Sequence, residues 1–171
     1  MNSSEKIQVD ELFTIYHKQI YQFIYRYTQD EMLSSDIVQD TFIKFDKYAD
    51  KFDPSKSHIR TFLFRIAYQL TMTKLKRQDR FVKLLPFLYK KDQGDSISLE
   101  DKISIRTAIK KLPPEQRSVI IFSYYHDLPQ QEIAEILQIP IGTVKSRLHT
   151  SLKKLKNLLE VDDNEEERYP R

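Results

Sequence analysis

The chain has 171 residues, 40% of them hydrophobic, with 2 Gly and no Cys. That is enough apolar material for one or two small cores, and it excludes disulfides, thiolate zinc sites and cysteine nucleophiles and leaves little for a glycine-rich phosphate loop. The net charge of +3 is modest, but its distribution is blocky: residues 30–53 hold seven acids against three Lys, residues 58–83 hold seven Lys or Arg against one Asp, residues 141–158 hold five cations and no acid, and residues 160–167 hold six acids. Two segments therefore suit phosphates, and the acidic segment between residues 30 and 53 suits a basic protein surface.

Apolar residues recur at helical spacing almost throughout, and alternating β-branched runs bounded by Gly or Asn turns are absent, so the expected fold is all-α. A first helix is expected over residues 9–27, where Leu12, Phe13, Tyr16, Ile20, Phe23, Ile24 and Tyr27 form one aromatic-rich face. A second is expected from Ser34 or Ser35, either of which can cap a helix, to Phe45. Ile37, Val38, Thr41, Phe42 and Phe45 would point inward, leaving Asp36, Gln39, Asp40 and Lys44 outward.

The stretch Asp53-Pro54-Ser55-Lys56-Ser57 predicts a loop, since Pro and the residue before it both disfavour helix. A third helix follows over residues 59–77 or slightly beyond. It is apolar at Phe62, Leu63, Ile66, Leu70 and Leu75 and basic at Arg60, Arg65, Lys74, Lys76 and Arg77, with Phe62 and Phe64 expected in the core. Residues 82–99, with Pro86 and Lys-Lys-Asp-Gln-Gly-Asp-Ser, read as a flexible linker. The organisation is then a domain over 1–81, the linker over 82–99, a second helical domain over 100–160 and an acidic tail over 161–171.

The second domain is expected to hold a helix ending at Lys111, a break at Leu112-Pro113-Pro114, a helix over 115–125, and two short helices joined by a tight turn over 130–159. That last outline is a helix-turn-helix, which places its second helix in a DNA groove. Val144, Leu148, Leu152, Leu155 and Leu159 form its apolar stripe. The opposite arc holds Thr143, Ser146, Arg147 and Thr150, flanked by Lys145, His149, Lys153 and Lys154, a mixture able to meet base edges and phosphates. Pro140 suits a helix start, and Gly142 suggests close backbone approach.

The run Leu112-Pro113-Pro114-Glu115-Gln116-Arg117, followed by Glu132-Ile133-Ala134-Glu135-Ile136-Leu137 and Gly142-Thr143-Val144-Lys145-Ser146-Arg147-Leu148, resembles region 4 of the extracytoplasmic-function sigma factors. Asp36-Ile37-Val38-Gln39-Asp40-Thr41-Phe42, then Phe62-Leu63-Phe64-Arg65-Ile66-Ala67-Tyr68-Gln69-Leu70 running into Leu75-Lys76-Arg77, resembles region 2 of the same family. The resemblance implies a factor that binds core RNA polymerase through its beta-prime and beta subunits and directs initiation at promoter DNA. An anti-sigma factor is an expected further partner.

On that resemblance the arc from Thr143 to Thr150 would read the −35 element. Arg60, Gln69, Thr73, Lys74, Lys76 and Arg77 would handle the −10 element, where Gln69 and Thr73 replace a common Asn and Asp. Asp36, Gln39, Asp40 and Lys44 would dock on the beta-prime coiled coil. Thr150 stands where an Arg is frequent, Pro129 where a Ser is frequent and Phe62 where a Trp is frequent. No catalytic residue, metal or cofactor is expected. The chain lacks an apolar run near the ~18 residues of a membrane span, and its polar, acidic start is unlike a signal peptide, so a cytoplasmic location is expected. The alternative is a stand-alone helix-turn-helix regulator, which has no need of the first domain.

Overall fold

A computed structural model describes the backbone of residues 9–84 and 105–166 and the side chains of residues 9–80 and 105–159. The first unit is α1 (Val9–Thr28), α2 (Glu31–Tyr48), a 3₁₀ turn (Ala49–Lys51) and α3 (Ile59–Leu84). The second is α4 (Ile105–Lys111), α5 (Pro114–Ile120), a π turn (Ile121–Tyr125), α6 (Gln130–Leu137) and α7 (Ile141–Glu166). No strand occurs among the described residues.

Most of the α1 aromatic face packs as its spacing predicts: Ile20, Phe23, Ile24 and Tyr27 are all at or below 1% exposed, in one core with Ile37, Phe42 and Phe45 of α2 and Leu63, Phe64 and Ala67 of α3, whereas Phe13, expected on the same face, is 39% exposed at its edge. Helix α2 begins earlier than Ser34. The Asp30 carboxylate accepts the Leu33 N–H at 2.8 Å, capping a helix that starts at Glu31, while Ser34 is buried and donates to the Asp30 carbonyl. Helix α3 likewise runs on to Leu84, into the expected linker, whose residues from 85 lie outside the described ones, as do those between 100 and 104 in the second domain.

Gln29, Asp127 and Gln138 take left-handed φ values of 59°, 49° and 55°. Gln138 ends α6 with its N–H on the carbonyls of Ala134 and Glu135, so a chain with 2 Gly makes the helix-turn-helix corner without one. Gly142 does not permit the close backbone approach expected of it, since an added Cβ there meets nothing within 4 Å. The α7 stripe also changes, because Leu152 is 43% exposed and Ser151 takes the inward position beside Val144 and Leu148. Its hydroxyl is satisfied by the Arg147 carbonyl, as a buried helix hydroxyl must be.

The two units share one core. Helix α3 packs on α6, and α1 packs on the π turn. Phe122, fully buried, stacks on Phe23 at 4.4 Å and meets Phe64 edge-on at 5.6 Å. Phe64 is therefore core, as expected, while Phe62 is only half-buried, edge-on to Phe45 and under the Arg65 guanidinium. Arg117 staples the units. It lies over the Tyr27 ring and donates to the carbonyls of Tyr27, Lys110 and Leu112.

Candidate nucleic-acid interface

The outer arc of α7 is presented as its spacing requires. Lys145, Ser146, His149 and Thr150 are exposed, and Thr143 and Arg147 are half-buried. The Ser146 hydroxyl donates to the Thr143 carbonyl at 3.0 Å, and that of Thr150 donates to the Ser146 carbonyl at 2.9 Å. With their protons spent on the helix, these two hydroxyls face outward as acceptors, which suits the amino groups of adenine and cytosine. Lys145 and Arg147 supply the donors.

The six α3 residues expected at the −10 element divide in two. Gln69, Thr73, Lys76 and Arg77 are exposed. Arg60 and Lys74 are engaged inside the molecule. The Arg60 guanidinium pairs with the Glu132 carboxylate of α6 at 3.2 Å, and the Thr61 hydroxyl donates to the same carboxylate at 2.9 Å. The Lys74 ammonium pairs with Asp40 at 2.9 Å and lies 3.8 Å from Asp36. Lys74 thus sits between the expected polymerase face and the expected DNA face.

The α2 face holds Asp36 and Gln39 exposed and Asp40 and Lys44 half-buried. Two residues outside the sequence reading join it. Met32 is 81% exposed and Ile43 67% exposed, so with Asp36 and Gln39 they form an i, i+4, i+7, i+11 row that is apolar at both ends. An outward Ile on an amphipathic helix breaks the pattern, and that is the signal that could have found it.

Between residue 51 and α3 the chain closes into a tight turn. The Asp53 carboxylate accepts the Ser55 hydroxyl at 2.6 Å and the Ser55 N–H at 3.0 Å and pairs with Lys56 at 3.0 Å. The Ser55 hydroxyl, Lys56 and the Ser55 amide hold its carboxyl down to about 2, so the turn keeps its acid ionised at any physiological pH. The turn borders a groove of about 700 Å³, walled by Lys51, Lys56 and Arg65 on one side and by Glu135, Gln138 and Ile141 of the helix-turn-helix on the other. Among the described residues no cluster of His, Asp and Glu is arranged to hold a metal.

Residues 12–81 match the sequence profile of Sigma-70 region 2, and residues 102–155 match that of Sigma-70, region 4. SigW of Bacillus subtilis (strain 168), an ECF RNA polymerase sigma factor, is 32% identical over 164 residues, which cover 87% of this chain and 87% of SigW. The chain belongs to the extracytoplasmic-function sigma factors. RpoE of Cereibacter sphaeroides, another member, is 27% identical over 151 residues, covering 85% of this sigma factor and 83% of the relative.

Two solved structures share the fold of this sigma factor at 24% identity. RpoE of Bartonella quintana, in complex with the anti-sigma factor NepR, superposes with a TM-score of 0.72 over 90% of this chain and 97% of its own. CnrH, in complex with the cytosolic domain of CnrY, superposes with a TM-score of 0.67 over 90% and 88%. A stand-alone helix-turn-helix regulator leaves the region 2 match unexplained, so the sigma-factor reading stands over it.

Proposed function

We propose that this sigma factor binds core RNA polymerase through the α2 face, sets the upstream register of a promoter with the outer arc of α7, and opens the −10 region with α3 and the turn before it. The observation that carries the division of labour is the segregation of charge. An acidic, apolar-ended row lies on α2 and cations lie along α3 and α7, so protein and DNA partners meet different helices.

Opening a promoter means taking bases out of the stack, at a few kcal/mol per base, and holding the displaced strand. Gln69 and Thr73 lie one turn apart on α3 and offer base-edge hydrogen bonds, while Lys76 and Arg77 supply phosphate contacts. The chain itself then performs no covalent chemistry, which belongs to the polymerase. Among the described residues no helix is long and apolar enough to cross a membrane, and a factor working on DNA and polymerase acts in the cytoplasm. An anti-sigma factor covering these faces would hold it inactive.

The test is transcription in vitro with purified core polymerase and no other sigma factor. Promoter-specific start sites are expected on a genomic template library. Failure to bind core would overturn the reading.

A further inference from the structure

The first turn of α3 collects three features that favour an anion. The Arg60 guanidinium and the Thr61 hydroxyl are adjacent donors, and the helix begins at Ile59, so its positive end lies beside them. An anion already sits there, the Glu132 carboxylate of α6. Arg60 reaches both of its oxygens, at 3.2 and 3.5 Å, and Thr61 reaches the nearer one at 2.9 Å. A phosphodiester offers the same two-oxygen edge to a guanidinium. Thr61, the third residue of α3, is 0% exposed, and its hydroxyl is spent on this carboxylate of α6.

The closed arrangement also conflicts with the task proposed for the chain. A compact chain of this length has a radius of gyration of about 15 Å. Elements centred on −10 and −35 stand about 25 base pairs, or about 85 Å, apart at ~34 Å per helical turn. Helices α3 and α7 cannot serve both while α6 remains packed on α3, so α6 must leave.

Resting on the sigma-factor reading, we propose that Arg60 and Thr61 form a phosphodiester-binding site at the start of α3, that Glu132 fills it in the free chain, and that single-stranded DNA competes with Glu132 for it. Glu132 is then an internal competitor. It keeps the promoter-opening helix closed until a DNA strand displaces it.

The experiment measures binding of a fluorescein-labelled thymidine 12-mer to the full chain at low salt. Glu132→Gln is expected to lower the half-saturating concentration about fivefold, the effect of removing a partly exposed ion pair that holds the closed form. Glu135→Gln removes the same charge from the same helix and should change it less than twofold. Thr61→Val should weaken binding in the Glu132→Gln background, where no closed state masks its loss.

Because the chain has no Cys, spin labels at Glu11→Cys and Asn157→Cys report domain separation directly. A single short distance is expected for the free chain and a long one with saturating oligonucleotide, reached at lower concentration in Glu132→Gln. Equal effects of Glu132→Gln and Glu135→Gln, or an unchanged distance on saturation, would overturn the inference. If that occurs while the wild-type chain still drives promoter-specific transcription with core, the competition fails and the sigma-factor reading stands. If Glu132→Gln tightens oligonucleotide binding but the wild-type chain starts no transcription, the site stands and the reading falls.

Discussion

Among the described residues, His126 departs furthest from its ordinary pKa. Its ring lies 5.0 Å from that of Phe64 and 6.3 Å from that of Phe23, and its Nε2 is buried without a hydrogen-bond partner. Burial first, then Arg26 and Arg60, press its pKa down to about 4, with Asp127 opposing weakly. The unfolded chain binds this proton below about 6.5 and the folded chain only below about 4, so stability rises with pH across that window. The contribution is whole above about pH 6.5 and is lost as the pH falls towards 4. At pH 5 the loss is about 2 kcal/mol. Thermal unfolding at pH 7 and pH 5 checks this: wild type should lose that much more than His126→Phe, whose phenyl ring has no proton to take up.

Gln138 tests the backbone at the same scale. Its φ of 55° is left-handed, which costs a residue bearing a Cβ about 1–2 kcal/mol and glycine nothing. Gln138→Gly should raise stability by about 0.5–1 kcal/mol after the extra chain entropy is subtracted, read from the denaturation midpoint. The weak 3.5 Å contact between the Gln69 and Gln138 amides is too long to offset the gain.

Among the elements, α2 and α7 carry separable predictions. Asp40 supports Lys74 at 2.9 Å, so Asp40→Lys would set two cations side by side and disturb α3 as well as the outer face. Ile43 is the cleaner probe, being 67% exposed and absent from the core. Ile43→Glu should leave the melting temperature unchanged and weaken core polymerase binding at least tenfold, as measured by fluorescence anisotropy, if this row centres the interface. On α7, Arg147→Ala should weaken promoter use by about 1–3 kcal/mol if it reads a base edge, measured as initiation from promoter variants at fixed salt. Lys153→Ala, at the flank, should instead weaken all promoters alike and reduce the salt dependence.

At the scale of the whole molecule, the two units should melt together, because Phe23, Phe64 and Phe122 pack as one cluster across them. Phe122→Ala should cost about 3–5 kcal/mol and separate the transition into two, seen as non-coincident labels on α1 and α7. Separation is also what the proposed promoter contacts require, and the 20 residues from 85 to 104 between the described parts can span at most about 70 Å when extended.

Helix type, the approximate ends of α1, α6 and α7's start, the inward aromatic face and the outward arcs followed from sequence spacing, because a 3.6-residue period fixes which side chains share a face. Asp30 as the α2 cap did not, since three candidate caps stand within six residues and only packing of Ser34 chooses between them. The partners of Arg60, Thr61 and Lys74 were equally illegible. Arg60 and Glu132 are separated by 72 positions, and periodicity is silent about which face of one domain meets another. The sequence by itself determined two helical units and the sign of the charge on each face, and the tertiary structure alone decided that an acid from the second unit, Glu132, pairs with the start of α3. Local spacing acts within a few residues, whereas that contact arises from burying Phe23, Phe64 and Phe122 against one another.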